Sequence, residues 1–489
     1  MSLSSAISIA QQAFSNTAQQ TAIVSKNIAN AGNADYSRRL ALLGSTGNGG
    51  AQVVSIYRAQ NEALLKQSIA SIGEASGQAR LRDGLELLKS ALGGNNYETA
   101  PSKMLSEFRN SLQTLASTPG NKTIAASAVT SAQDLANSLN KTSDTVQNLR
   151  EDADKEIALE VDKLNGLLAE FEKANNAVKS ATATGGDASD ALDQRDKILK
   201  QVSEIIGIST VTRGDNDTVI FTTDGTVLFE NSPRKVTFAP TTAFDASTVG
   251  NKIFVDGVPI APGSGADTTA KGKLASLVQL RDDIAPKFQS QLDEIARGLI
   301  EMFKEGNPSA TPTPIPYKPG LFTTDPALAT MPAAGTVVPG LASKITVNAL
   351  AKANPLLLRD GGFNGVVSNP GGAGNPSPGY TGLLDGFINK MGENMSFDPS
   401  TGLDGTSSLL NFATGSVGWL EETRKTASTA DDNKRAMLSR TQEALSKQTG
   451  VSIDEELSLL LDLEQSYKAS AKLVSTVDAM MAALMEAVR

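Results

Sequence analysis

The sequence predicts a mainly α fold with a β insertion: N- and C-terminal helices forming a coiled coil, a long-helix bundle, and a small antiparallel β domain at the distal end. Three observations carry this. All twenty prolines lie between Pro101 and Pro399, so both ends are free to be helical while the centre is interrupted. Each end bears apolar residues at alternating steps of three and four, the mark of a heptad seam. Between Pro119 and Pro233 there is no proline, and helical spacing runs through most of that interval.

Taken in order, Leu3, Ile7, Ala10, Phe14, Thr17, Thr21, Val24 and Ile28 form the first seam. Asn27 to Arg39 then breaks the pattern with Asn, Gly and Asp, and a Gly-rich patch follows at 47–50, which reads as a loop or short extended segment. Helical spacing resumes near Gln60 and runs to the Gly93-Gly94 stop, and a short helix is expected over Ser102 to Leu115. From Lys122 to about Lys179, Leu135, Leu139, Val146, Ile157, Val161, Leu164, Phe171 and Val178 keep helical spacing, which predicts a rod of roughly 85 Å. Two stacked helices broken near Gly166 satisfy the same spacing.

Beyond Gly207, five short β-branched or aromatic runs between Ile208 and Val255 are separated by Gly, Asp, Asn and Pro, the signature of small antiparallel strands. Helix returns from Lys273 to about Lys304, and residues 307–379 are dense in Pro and Gly, with one strand or turn expected within Ser343 to Asn354. Thr406 to Lys447 is helical and leads to Gly450 and a Ser452-to-Glu455 capping-box pattern. The closing helix carries Ile453, Leu457, Leu460, Tyr467, Ala471, Val474, Met481, Leu484 and Val488, with polar Glu464 and Asp478 in two of the seam positions. Side by side, the two seams make one coiled coil; packed separately on a globular core, each needs its own partner surface. The expected division is a terminal domain of 1–45 with 450–489, a helical bundle of 46–205, 272–306 and 400–449, a β domain of 206–271, and a Pro/Gly-rich irregular segment of 307–399.

Composition excludes several functions. The formal charge of −9 and the lack of a basic run argue against nucleic acid as partner. With neither Cys nor His, disulfides, Cys/His zinc sites and Ser-His-Asp or Cys-His nucleophiles are absent, and no cofactor or metal site is expected. A glycosidase working with two carboxylates needs neither residue type, but it calls for an aromatic-lined cleft, and the chain has one tryptophan, Trp419, in a helical context. The N-terminal stretch carries no charge before Lys26 and no continuous apolar run, so neither a cleavable signal peptide nor a membrane span is expected.

Asn27-Ile28-Ala29-Asn30 followed by Tyr36-Ser37-Arg38 resembles the signature after the first helix of the flagellar axial family of rod, hook and hook-associated proteins. Asn33-Ala34-Asp35 stands where that family carries Thr-Pro-Gly, and Asn and Asp tolerate turn conformations by bonding to their own backbone. Leu463 to Lys472 and Met480 to Leu484 are similar to the family's closing helix. Leu192 to Asp196, Gly272 to Leu277 with Gln291 to Ala296, and Gly320 to Phe322 resemble internal blocks of its hook-associated members. The resemblance implies a structural subunit, not an enzyme: a ring of copies between hook and filament, extracellular, exported by the flagellar type III apparatus without a cleaved signal peptide. Another axial protein, hook-associated protein 3 or the hook protein, is the alternative. Expected partners are further copies of the chain, the hook protein, hook-associated protein 3, and a dedicated export chaperone at the C-terminal helix.

The candidate assembly residues are Leu3, Ile7, Ala10, Phe14, Val24 and Ile28 on the first seam, and Leu457, Leu460, Tyr467, Ala471, Val474, Met481, Leu484 and Val488 on the second. Asn27, Asn30, Tyr36 and Arg38 form a candidate joint, contacting adjacent subunits or merely covering their own domain. Tyr467 reads as seam packing. Asp193, Arg195 and Asp196 read as a solvated helix face or ion pair. The seams are too poor in large apolar residues to be stable alone, so the termini are expected to order when neighbouring copies bury them.

Overall fold

The computed structural model describes residues 3–45, 50–328 and 330–487; the side chain of Leu3, and Val488 entirely, lie outside the described residues. Helix α1 (Leu3–Ala29) leads into an antiparallel hairpin, β1 (Arg39–Ser45) and β2 (Ala51–Arg58). The stretch read as a loop or short extended segment thus leads into and through a ribbon, and a domain boundary at residue 45 would cut that ribbon in two. Its signal is two apolar runs, Leu40 to Leu43 and Val53 to Tyr57, around the Gly-rich patch.

Helices α2 (Glu62–Ala91), α3 (Pro101–Ser117), α4 (Lys122–Thr184) and α5 (Ser189–Ile205) follow. Asn61 and Asn121 cap α2 and α4, their side chains accepting from Leu64 N and from Thr123 N and Ile124 N. The rod is continuous: α4 runs for 63 residues, about 95 Å at 1.5 Å per residue. Gly166 does not break it, because α4 is packed on both sides of that position by Leu164, Leu167 and Leu168.

Two three-stranded antiparallel sheets come next: β3 (Ile208–Thr212), β4 (Thr218–Thr222) and β5 (Val227–Phe229), then β6 (Val236–Thr237), β7 (Phe254–Val255) and β8 (Val258–Pro259). They form no separate core, since Ile220, Phe229, Val236 and Val255 pack with Ile157, Leu164 and Phe171 of α4 and with Val202 of α5. The sheets therefore lie along the C-terminal half of α4, beside the terminal helices, and not at the distal end. Chain length is the reason. After the turn at Gly185, α5 returns only 17 residues, about 25 Å, along a helix nearly four times as long.

Helix α6 (Lys273–Gln279) passes through a π turn at Leu280–Ile284 into α7 (Ala285–Met302). The wide turn accommodates Pro286, which in a regular helix would clash with the carbonyl four residues back. The Pro/Gly-rich segment contains β9 (Glu305–Asn307), β10 (Ile315–Lys318), β11 (Phe322–Thr324), α8 (Leu341–Lys344), β12 (Ile345–Val347), α9 (Ala349–Ala353), α10 (Leu357–Asp360) and α11 (Gly382–Lys390). It is not a surface appendage: Phe322 and Phe387 are buried with Phe108 and Phe303, ring centroids 4.4 to 5.7 Å apart. Outside its two short antiparallel ladders, β9 with β10 and β11 with β12, its backbone is held by buried carboxylates. Asp293 accepts from Gly340 N (2.9 Å) and Ala342 N (2.8 Å), Glu305 from Gly362 N (3.1 Å) and Asn364 N (3.0 Å), and Glu294 from Asp398 N (3.0 Å). This segment, with α3 and the N-terminal half of α4, makes the distal end.

Strands β13 (Asn394–Ser396) and β14 (Thr406–Ser408) lead to α12 (Leu409–Thr449) and α13 (Ile453–Ala487). α12 lies antiparallel on α2: Gln78 Nε2 donates to Ala427 O (3.0 Å), and Arg424 pairs with Glu86 at 2.5 Å. A Cβ on Gly77 would sit 2.8 Å from Ala270 O, so only glycine lets the loop ahead of α6 lie against α2. At the lower end of this pair, Arg424 (2.6 Å) and the Tyr97 hydroxyl both donate to Glu421, and the Arg424 guanidinium above all holds its carboxyl down at about 2. A carboxylate depressed in the folded state contributes stability above its unfolded value of about 4.3, lost as pH falls. The difference in Tm between the wild type and Glu421→Gln is therefore expected to narrow from pH 5 toward pH 2; a difference independent of pH would refute the assignment.

Candidate functional site

The two terminal helices pack antiparallel. Asn27 of α1 lies at Glu456 of α13, and Phe14 meets Tyr467 edge-on, centroids 5.0 Å apart. On α1 the expected seam is the one observed: Ala10 and Val24 are buried, and Ile7, Phe14 and Ile28 are half-buried. On α13 the phase differs. Leu460 and Val474 are half-buried toward α1 as expected, but the buried positions between them are Glu456, Leu463, Ser470 and Val477. Leu457, at 46%, and Ala471 are exposed. Two heptad frames share Leu460, Tyr467 and Val474. The polar Glu464 and Asp478 in the expected frame mark the wrong one, since Leu463 and Val477 take those places. Met481 and Leu484 are about half exposed (45% and 54%) because α13 runs past the start of α1.

Where α1, the hairpin, α13 and α5 meet, a polar knot joins them. Asn27 is 1% exposed and has every hydrogen-bonding position of its amide filled. Its Nδ2 donates to Arg39 O (3.0 Å) and Glu456 Oε2 (3.0 Å), while Oδ1 accepts from Tyr36 Oη (2.8 Å) and Arg39 N (2.9 Å). Arg38 Nε donates to Glu456 Oε1 (2.6 Å), its Nη1 to Glu455 Oε2 (2.8 Å), and its backbone N to Thr449 O (2.8 Å). Ser452 Oγ accepts from Glu455 N at 3.5 Å, but the Glu455 carboxylate turns to Arg38, so only half of the expected capping box forms. Asn30 Nδ2 donates to Lys26 O (2.9 Å) and closes the helix end.

The hairpin is pinned to the trunk at its base. Arg39 Nη2 reaches Asp193 Oδ2 (2.5 Å) and Asp190 Oδ1 (3.0 Å), and Arg58 reaches Asp193 Oδ1 (2.9 Å) and Asp196 Oδ2 (2.7 Å). Asp193 and Asp196, read as a solvated face or an ion pair, are ion-pair partners of two buried guanidinia; Arg195 turns away to Asn175 Oδ1 (3.2 Å) and Asn216 O (2.5 Å). Burial pushes the Tyr36 hydroxyl up to about 12, with Arg39 opposing from 4.6 Å over the ring. Burial also raises the Asp196 carboxyl against the pull of Arg58, whereas Lys26 and then Arg39 lower that of Asp190. At the far end of the ribbon Asn16 Oδ1 accepts from Val53 N (2.9 Å), and its amide donates to Ala51 O.

Tyr36 and Arg38 are thus satisfied within their own chain. Sequence reasoning missed Arg39, Arg58, Asp190 and Glu456 as members of the knot. A signal was present: Arg39 and Arg58 bracket eighteen residues without a charge, and Asp190, Asp193 and Asp196 recur at three-residue steps on α5. These groups lock elements at a fixed angle.

Antiparallel terminal helices fixed through a buried joint to a long helical trunk define an elongated, mainly helical protein. The flagellar hook-associated protein FlgK helical domain matches residues 88–308, and the flagellar basal body rod FlgEFG protein C-terminal domain matches residues 442–487. Flagellar hook-associated protein 1 of Escherichia coli is 22% identical over 60% of this chain, and that of Bacillus subtilis is 21% identical over 77%. The matches span about half of the Escherichia coli protein (54%) and 74% of the Bacillus subtilis one. The flagellar hook junction protein FlgK from Burkholderia pseudomallei shares the fold, with a TM-score of 0.54 at 13% identity over 78% of this chain and 99% of that one. The chain is thus similar to flagellar hook-associated proteins in its helical domain and in its C-terminal helix. Among the described residues no helix is long and apolar enough to cross a membrane.

Proposed function

We propose that this chain is the subunit of a ring that joins hook to filament and on which filament assembly depends. In this reading the terminal pair continues the inner tube of the flagellum, and the trunk and sheets form the outer ring. The carrying observation is α13. Paired with α1 along one stripe, it leaves Leu457, Leu461, Leu473, Met480 and Leu484 between 46% and 60% exposed, more apolar surface than a solitary helix pair tolerates in water. Neighbouring copies cover it, and Ile7, Phe14, Tyr467 and Val474 hold the pair in register for them. The ring contacts the hook protein on one side and hook-associated protein 3 on the other. Before assembly the chain travels unfolded through the flagellar type III apparatus, its C-terminal helix covered by a dedicated chaperone. The absence of cysteine means no disulfide has to be reduced for threading.

Deleting residues 453–489 is expected to leave a trunk that melts cooperatively and is exported but does not incorporate at hook tips, so that filament is lost. Electron microscopy of hook-basal bodies reads this directly. Truncated chains that still cap hooks and support filament growth would refute the proposal.

A further inference from the structure

The β1–β2 hairpin carries an apolar surface that no described residue of its own chain covers. Leu42, Val54 and Tyr57 share one face and are 47% to 58% exposed, and no charged residue occurs between Arg39 and Arg58. Ribbons that stay free in water are guarded by charges, proline or a covering element. This one is held by α1 on one side and by α5 at its base. A second unpartnered patch lies on α13, where Ile453, Leu457 and Leu461 form a stripe at four-residue steps, 46% to 60% exposed.

The two patches sit at the same height. The hairpin begins beside Asn27 and reaches Asn16, and α13 runs past the same stretch of α1 from Glu456 at Asn27 to Tyr467 at Phe14. The hairpin is gripped by Asn16 and Asn27, and α13 packs on the face that carries Ala10, Phe14 and Val24. One module therefore presents two different apolar patches, level with each other along the helix axis. Two unlike patches on one subunit satisfy the requirement for head-to-tail contact, and head-to-tail contacts close into a ring where the rotation from copy to copy closes.

We propose that the outer face of the hairpin in one copy docks on the Ile453–Leu457–Leu461 stripe of the next copy, making this ribbon the circumferential contact of the ring. This rests on the ring proposed above and names the surfaces that close it.

Because the chain has no cysteine, the contact is open to direct trapping. Leu42→Cys and Leu461→Cys are combined in one chain, produced in a flagellated host in place of its own copy, and isolated hooks are oxidised with copper phenanthroline. The expected result is a ladder of covalent multimers on denaturing gels holding most of the hook-tip protein, reversed by reductant, with each single variant staying monomeric. Tyr57→Cys with Leu457→Cys is the second pair, used if the first does not incorporate. Hook tips that carry the variant without a ladder from either pair overturn this contact and leave the ring intact. A wild-type chain that does not reach hook tips overturns the ring and this contact with it.

Discussion

Glu456→Ala is expected to release the terminal helix pair from the trunk without unfolding the trunk. The Glu456 side chain is 1% exposed, and its two oxygens are taken by Arg38 Nε (2.6 Å) and Asn27 Nδ2 (3.0 Å). Removing one partner of a buried charged pair costs about 3–5 kcal/mol, because the other is left without compensation. Here Arg38 keeps Glu455, which is 63% exposed and screened, and Asn27 loses one of two acceptors. The loss falls on the docking of α13 against α1 and the hairpin, not on the trunk cores, which share no residue with it. Hydrogen exchange should therefore accelerate by two to three orders of magnitude across α1, the hairpin and the first turns of α13, with α4 and α7 unchanged. Equal acceleration in α4 would show that Glu456 supports the whole fold, and no acceleration in α1 would remove it from the joint.

The second large effect is expected from Arg281→Ala in the trunk. Its guanidinium, fully buried at 0% exposure, bonds Asp154 Oδ1 (2.5 Å), Asp282 Oδ2 (2.7 Å) and Asn251 O (2.7 Å). Asp154 in turn accepts from Thr241 N at 2.7 Å, so the two residues clasp the long connection between β6 and β7 against α4. A Cβ on Gly250 would stand 2.4 Å from the guanidinium carbon, which is how closely that connection wraps it. Truncation leaves the Asp154 charge buried and unpaired and opens a side-chain-sized void, a loss of about 3–5 kcal/mol and a fall in Tm of about 3–6 °C. Calorimetry is the measurement. A Tm within a degree or two of the wild type would mean that the connection contributes nothing to holding α4 and the π turn together.

Much of the helical architecture was legible in the residues, and the errors have one cause. The rod of α4 and the strand runs after Gly207 follow from local periodicity, which adjacent residues determine. The frame of α13 does not, because Leu460, Tyr467 and Val474 belong to both heptad frames. Only the bond from Asn27 to Glu456, between residues 429 positions apart, selects one. The knot of Arg39, Arg58, Asp190 and Asp193 was missed for the same reason. Its members are unremarkable charged residues until the turn at Gly185 brings the start of α5 under the hairpin.

The sequence by itself determined a mainly helical chain with heptad-patterned ends, no thiol or imidazole chemistry, and a resemblance to the flagellar axial family. Tertiary structure alone decided where the sheets sit, which face of α13 is spent on α1 and which is left exposed, and that the Pro/Gly-rich segment fills a core. Helical periodicity is written in steps of three and four and can be read locally. Placement depends on how far a short helix doubles back along a long one and on polar groups paired across hundreds of residues, and no local pattern records either.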